Sequence, residues 1–116
     1  MALPTHMRFA SRQDVSAVIR NGRRYHTPLG RVAVIPVHPG QSGRVLFSVP
    51  AAVSKKSSER NRIRRHLEAW AREHTLPLRR HYHLVVFVRP DTARLARPVL
   101  RERADAMQRI LLRFQP

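Results

Sequence analysis

The chain contains no cysteine, which excludes a disulfide scaffold and any thiolate metal centre. Glycine is scarce: there are four, and none forms GxGxxG, so no glycine-rich loop is available to cradle a nucleotide's phosphates. Acidic residues are few, 7 Asp plus Glu against 23 Lys plus Arg, which leaves a net charge of +16 and a pI near 12.0. Lysine itself is almost missing, since only Lys55 and Lys56 occur. No apolar run approaches the ~20 residues that a bilayer-spanning helix needs. Met1 to Met7, with Pro4 and His6, has no apolar core of the signal-peptide kind, so the expected location is the cytoplasm and no membrane partner is expected. No Ser/His/Asp grouping stands out either, and no catalytic residue is assigned.

What the chain does have is arginine. A protein this cationic repels itself unless a polyanion is near, and the planar guanidinium holds phosphate bidentately and stacks on bases. RNA therefore suits the composition better than a diffuse membrane surface. With 116 residues, 42% of them hydrophobic, the chain is long enough for one core and too short for two. One domain over residues 1–116 is expected, with 1–7 as a flexible start; there is no internal repeat, low-complexity tract or linker.

The hydrophobic pattern predicts an α+β order. Arg12 to Asn21 carries Val15, Val18 and Ile19 at helical spacing, and Gly22 is placed to end that helix. A short strand is expected near Arg24 to Pro28. Arg31 to Val37 alternates with apolar residues on both faces, Val32, Val34 and Pro36 against Ala33, Ile35 and Val37, as a central strand does. His38 to Gly43 supplies a Pro/Gly turn, and Arg44 to Val49 returns as a strand ended by Pro50, so the two strands are expected to form an antiparallel hairpin. A helix follows from Ser57 to His74, capped by Ser57 or Ser58, before Pro77 breaks the pattern. Tyr82 to Val88 is strongly β-prone, and Asp91 to Phe114 repeats Leu95, Val99, Leu100, Met107, Ile110, Leu111 and Phe114 at helical spacing, with Pro98 near its beginning. That last helix is expected to cover one face of the sheet.

The basic charge is densest at the start of the Ser57 to His74 helix. Lys55, Lys56, Arg60, Arg62, Arg64 and Arg65 crowd together there with Asn61, while Ile63, Leu67 and Trp70 fall at i, i+4, i+7 on another side. One side of the helix packs while the other meets phosphate. Glu59, Glu68 and Glu73 are too few to lace these arginines into a merely solvated face. Among the seven histidines, His81 and His83 share a strand face, but no third ligand converges on them and no metal site is assigned. His66 and His74 lie on the basic helix, where neighbouring arginines favour the neutral ring.

Arg60-Asn61-Arg62 followed by Arg64-Arg65, with Phe47-Ser48-Val49-Pro50 upstream, resembles the RNR signature and preceding strand of the bacterial ribonuclease P protein family. The resemblance runs from about residue 8 to 114. It implies a single compact domain in α-β-β-β-α-β-α order, a mixed sheet of about four strands with helices packed on it, and a left-handed crossover through the RNR helix. It also implies that Arg60, Asn61, Arg62, Arg64 and Arg65, with Lys55 and Lys56 beside them, bind the catalytic RNA, one protein per RNA. A cleft between the first helix and the sheet receives the 5′ leader of precursor tRNA in that family. Arg12, Val15 and Ile19 are the matching positions here. The RNA subunit, with Mg2+ that it mainly holds, performs the hydrolysis that releases the leader.

Three departures from the family pattern are visible. Val15 and Ile19 are aliphatic where the family places aromatic rings, so they offer an apolar wall without a π face; Phe9 and Tyr25 are the aromatic alternatives, each set against an ordinary packing role. Ala51 and Ala52 stand where a basic pair is usual, with Lys55 and Lys56 following about one helical turn later. Glu68 replaces a common arginine. The competing readings are a small basic ribosomal or ribosome-assembly protein, which shares size and charge, and a DNA-binding module, disfavoured because no helix-turn-helix partner accompanies the basic helix.

Overall fold

The computed structural model describes residues 3–113. Helix α1 spans Arg12–Asn21, strand β1 Arg23–His26, β2 Gly30–Pro36 and β3 Val45–Ser48. Then come α2 at Ser57–His74, a short α3 at Leu76–Arg79, β4 at Tyr82–Val88 and α4 at Arg97–Arg113. One-turn 3-10 segments sit at Thr5–Met7 and Pro90–Arg94. The four strands form one mixed sheet in the order β1-β2-β4-β3.

Local chemistry accounts for the boundaries. Ser11 caps α1, its hydroxyl accepting from the Asp14 amide at 3.2 Å, and Gly22 closes the helix by donating to the Val18 carbonyl at 2.8 Å. Gly30 has φ +155°, and a Cβ there would lie 1.9 Å from the Phe87 carbonyl, so only glycine lets β2 start this close to β4. The cap of α2 differs from expectation. Neither Ser57 nor Ser58 serves: Lys56 is the N-cap residue without a side-chain bond, while Ser54 accepts from the Lys56 amide at 3.2 Å and donates to the Glu59 carboxylate.

The expected hairpin between the second and third strands is corrected. β2 pairs antiparallel with β4, Val32 facing Val86, and β3 pairs parallel with the far side of β4, Leu46 facing Val85. Residues 37–44 are longer than the ~2–5 of a tight hairpin. They arch over the start of β4, with Val37 donating to the His81 carbonyl at 2.9 Å on one side and Gly43 to the Arg79 carbonyl at 2.6 Å on the other. The physical reason is burial: Leu84, Val85 and Val86 are each 0% exposed, so β4 is apolar on both faces and takes the centre, which sends β3 to the edge. The β3-to-β4 connection through α2 and α3 is thereby a crossover between parallel strands.

The sheet has two unequal faces. On one, Val32, Val34, Phe47, Leu84 and Val86 meet Ile63, Leu67 and Trp70 of α2 and Leu100, Ala104 and Met107 of α4 in the main core. Trp70 Nε1 donates to Asp105 Oδ1 at 2.7 Å, tying α2 to α4. Of the segment 1–7 expected as a flexible start, residues 1–2 lie outside the described residues, while Leu3 and Met7 are 4% and 1% exposed and pack into this core. The Arg44 guanidinium pins that segment by donating to the Thr5 and Arg8 carbonyls. Phe114 lies outside the described residues.

Candidate nucleic-acid interface

The second face of the sheet is covered only in part. Val18 of α1 is buried against Ala33 and Val85, and Phe9, Val15, Ile19, Ile35, Leu46 and Phe87 surround that contact half-buried. A single ten-residue helix cannot cover four strands, so an open apolar cleft runs along it.

The two ends of the cleft differ. At one, Ile19, Arg24, Arg31, Ala33 and Phe87 line a cavity of about 200 Å³. The Arg31 guanidinium lies 5.8 Å from the Phe87 ring centre, and Arg24 Nη2 donates to the Ile19 carbonyl at 3.1 Å, closing the side. At the other end, Phe9, Arg8, Arg12, Val15, Leu46 and Glu68 line a wider cavity of about 570 Å³. Phe9 packs on His83 with ring centres 5.8 Å apart, and His83 Nδ1 accepts from the Arg44 amide at 3.0 Å. That bond places the neutral ring's proton on Nε2, and burial, assisted by Arg44, holds His83 below its ordinary value.

The structure places the sequence-derived leader-cleft residues along this groove: Arg12 and Val15 at the wide end, Ile19 at the narrow one. Of the two aromatic alternatives, Phe9 lines the cleft, whereas Tyr25 packs against the main core on the opposite face. Phe87 is the residue that sequence reasoning missed. Its signal was present in the alternation of β4, where Phe87 shares a face with Val85 and His83 and opposes Arg31 across the ladder. An aromatic floor thus stands beside the aliphatic wall.

The basic helix is arranged as its periodicity requires. Ile63, Leu67 and Trp70 are buried, while Asn61, Arg62, Arg64 and Arg65 are exposed, as are Lys55 and Lys56 just ahead of the helix. Cations before a helix N-terminus add to the positive end of its dipole, a combination suited to phosphate. Arg60 differs from the rest: it is half-buried and its Nη1 donates to the Ser54 carbonyl at 2.8 Å, so it also closes the loop that leads into α2. On the flank toward α4, burial and then Arg97 and Arg62 push His66 down, which matches the neutral ring expected there. On the flank toward α1, burial pushes the Glu68 carboxyl up while Arg64, Arg8 and Arg65 pull it back. Glu68 is where the basic helix and the cleft meet.

His81 and His83 do not gather a metal ligand set; His83 is bonded to Arg44, and among the described residues no three His, Asp or Glu side chains could hold an ion together. The carboxylates are dispersed and mostly engaged, Glu59 by Ser54, Asp105 by Trp70, and Asp91 by Arg103 at 2.9 Å. No helix of the described residues is long and apolar enough to cross a membrane.

Residues 3–113 match the family model for ribonuclease P. This chain belongs to the ribonuclease P protein family. A ribonuclease P protein component from Microcystis aeruginosa is 35% identical over 94 residues, covering 78% of each chain. The fold is that of the family's solved structures. The ribonuclease P protein of Staphylococcus aureus superimposes with a TM-score of 0.78 at 15% identity, over 90% of this chain and 94% of that one. The protein from Thermotoga maritima gives 0.75 at 18% identity, over 94% and 98%. Membership of the ribonuclease P protein family makes RNA a partner of this chain.

Proposed function

We propose that this chain is the protein subunit of a ribonuclease P that removes the 5′ leader from precursor tRNA in the cytoplasm, with one protein acting per RNA subunit. In this reading Lys55, Lys56, Arg60, Asn61, Arg62, Arg64 and Arg65 bind the RNA subunit, and the cleft formed by Arg12, Val15, Ile19 and Phe87 holds the leader. The observation that carries it is the junction of two surfaces: the exposed cations of α2 adjoin, at Glu68, a groove with apolar walls, an aromatic floor and arginines at both ends.

The physics of each part is distinct. Cations on α2 neutralise phosphates and release counterions, a strong, salt-sensitive and sequence-tolerant interaction. The cleft works on bases: an unpaired base that stacks on Phe87 leaves water, and Arg24 or Arg31 can hold its flanking phosphate. Screening of backbone repulsion between leader and RNA subunit follows from the net charge of +16. Phosphodiester hydrolysis is assigned to the RNA subunit and the Mg2+ it holds; among the described residues the dispersed carboxylates of this chain do not gather into a metal site.

The test is binding of precursor and mature tRNA to the holoenzyme assembled with its own organism's RNA subunit. Tighter binding of the leader-bearing form, reduced toward the mature value by Phe87→Ala, supports the cleft. Equal binding of both forms argues against it.

A further inference from the structure

The wide end of the cleft is more specific than a stacking surface needs to be. Its walls are apolar, from Val15 and Leu46, and Phe9 contributes a ring; Arg8 and Arg12 stand at its rim, and among the described residues Glu68 is its only acidic lining residue. Among the described residues Glu68 makes no hydrogen bond and no ion pair within 4.0 Å, although Arg64, Arg8 and Arg65 are near enough to act on its charge. A half-buried carboxylate beside an apolar cavity, with its acceptor capacity unspent, is costly to keep unless something donates to it.

We propose that Phe9, Leu46 and Glu68 form a base-selective subsite of the leader cleft that takes guanine. The inference rests on the leader reading above and deepens it. A carboxylate in a site built for polyanion repels phosphate, so it turns the backbone toward Arg8 and Arg12 and leaves the base edge for itself. Guanine alone presents two adjacent donors, N1–H and the 2-amino group, which match the two oxygens of Glu68. Adenine and cytosine set one amino donor beside a ring nitrogen whose lone pair opposes the carboxylate, and uracil sets one imino donor between two carbonyls. Single-stranded bases are read in this way, on their Watson–Crick edge with the face against a ring. The aliphatic Val15 leaves the selection to the edge contact rather than to stacking strength.

The experiment uses the holoenzyme with its own organism's RNA subunit and precursor tRNAs whose leaders contain no guanosine, into which one guanosine is placed at each position in turn. Affinity is measured against the mature tRNA. One leader position should favour guanosine about tenfold over the other three bases, the size of a good two-point base contact. Inosine at that position, which lacks the 2-amino group, should lose most of the gain. Glu68→Gln should reduce the preference to less than about twofold while guanosine-free leaders keep their advantage over mature tRNA. If leaders help binding but no position favours guanosine, or if the preference survives Glu68→Gln, the subsite is wrong and the leader cleft stands. If precursor and mature tRNA bind equally, the leader reading fails and the subsite with it. The guanosine scan needs no variant, so a folding defect cannot mask the result.

Discussion

Replacing Arg64 and Arg65 together by alanine should weaken binding to the RNA subunit without harming the fold. Both side chains are exposed on α2 and neither makes a hydrogen bond or ion pair among the described residues, so their loss costs little stability. Each phosphate contact contributes about 0.7 to 0.9 to the slope of log affinity against log salt. Two contacts at about 0.8 make the variant's slope shallower by about 1.6, so a fourfold rise in salt should cost the wild type about ninefold more affinity than it costs the variant. The assay is RNA-subunit binding at 50 and 200 mM monovalent salt, with circular dichroism as the folding control. Arg60→Ala provides the contrast. It removes the 2.8 Å bond to the Ser54 carbonyl as well as a cation, so it should lower stability by about 1 kcal/mol and the melting temperature by a few degrees. A salt slope identical to wild type in the Arg64, Arg65 double variant would refute the assignment of this face to phosphate.

Phe87→Leu keeps an apolar side chain but removes the ring; stacking is worth about 1 to 3 kcal/mol per base, so the leader's contribution to affinity should fall by about fivefold or more, read as the ratio of precursor to mature tRNA binding. Gly30→Ala forces a Cβ to within 1.9 Å of the Phe87 carbonyl at φ +155° and should destabilise by on the order of 2 kcal/mol or more, measured by urea unfolding. His66 and His83 are both held below the ordinary 6.5, mainly by burial, so the unfolded chain takes up protons first as pH falls. The stability they contribute is present above about pH 6.5 and is lost below it, and a His66→Gln, His83→Gln double variant should show a flatter dependence of unfolding free energy between pH 7 and 5.

The elements with a strong period were legible. Val15, Val18 and Ile19 mark α1, and Ile63, Leu67 and Trp70 mark the buried stripe of α2, because an amphipathic helix writes its own face into the sequence. The exposed face of the RNR segment was readable for the same reason, since Arg62, Arg64 and Arg65 had too few acidic partners to pack inward, whereas the bond of Arg60 to the Ser54 carbonyl was not. Strand pairing was not legible. A Pro/Gly loop between two β-prone runs looks like a hairpin locally, and only the full burial of Leu84, Val85 and Val86 reveals that β4 belongs between them. Phe87 escaped notice because its partial burial depends on how much of the sheet α1 leaves uncovered, a property of the whole fold. Leu3 and Met7 looked like an ordinary chain start until the core closed around them.

The most direct test of the central claim is cleavage of precursor tRNA by the RNA subunit of the same organism at low magnesium, with and without this protein at equal ionic strength. The account predicts correct 5′ cleavage that depends on the protein and is weakened by substitutions on both the α2 face and the Phe87 cleft. Tight RNA binding without any effect on leader removal would contradict it.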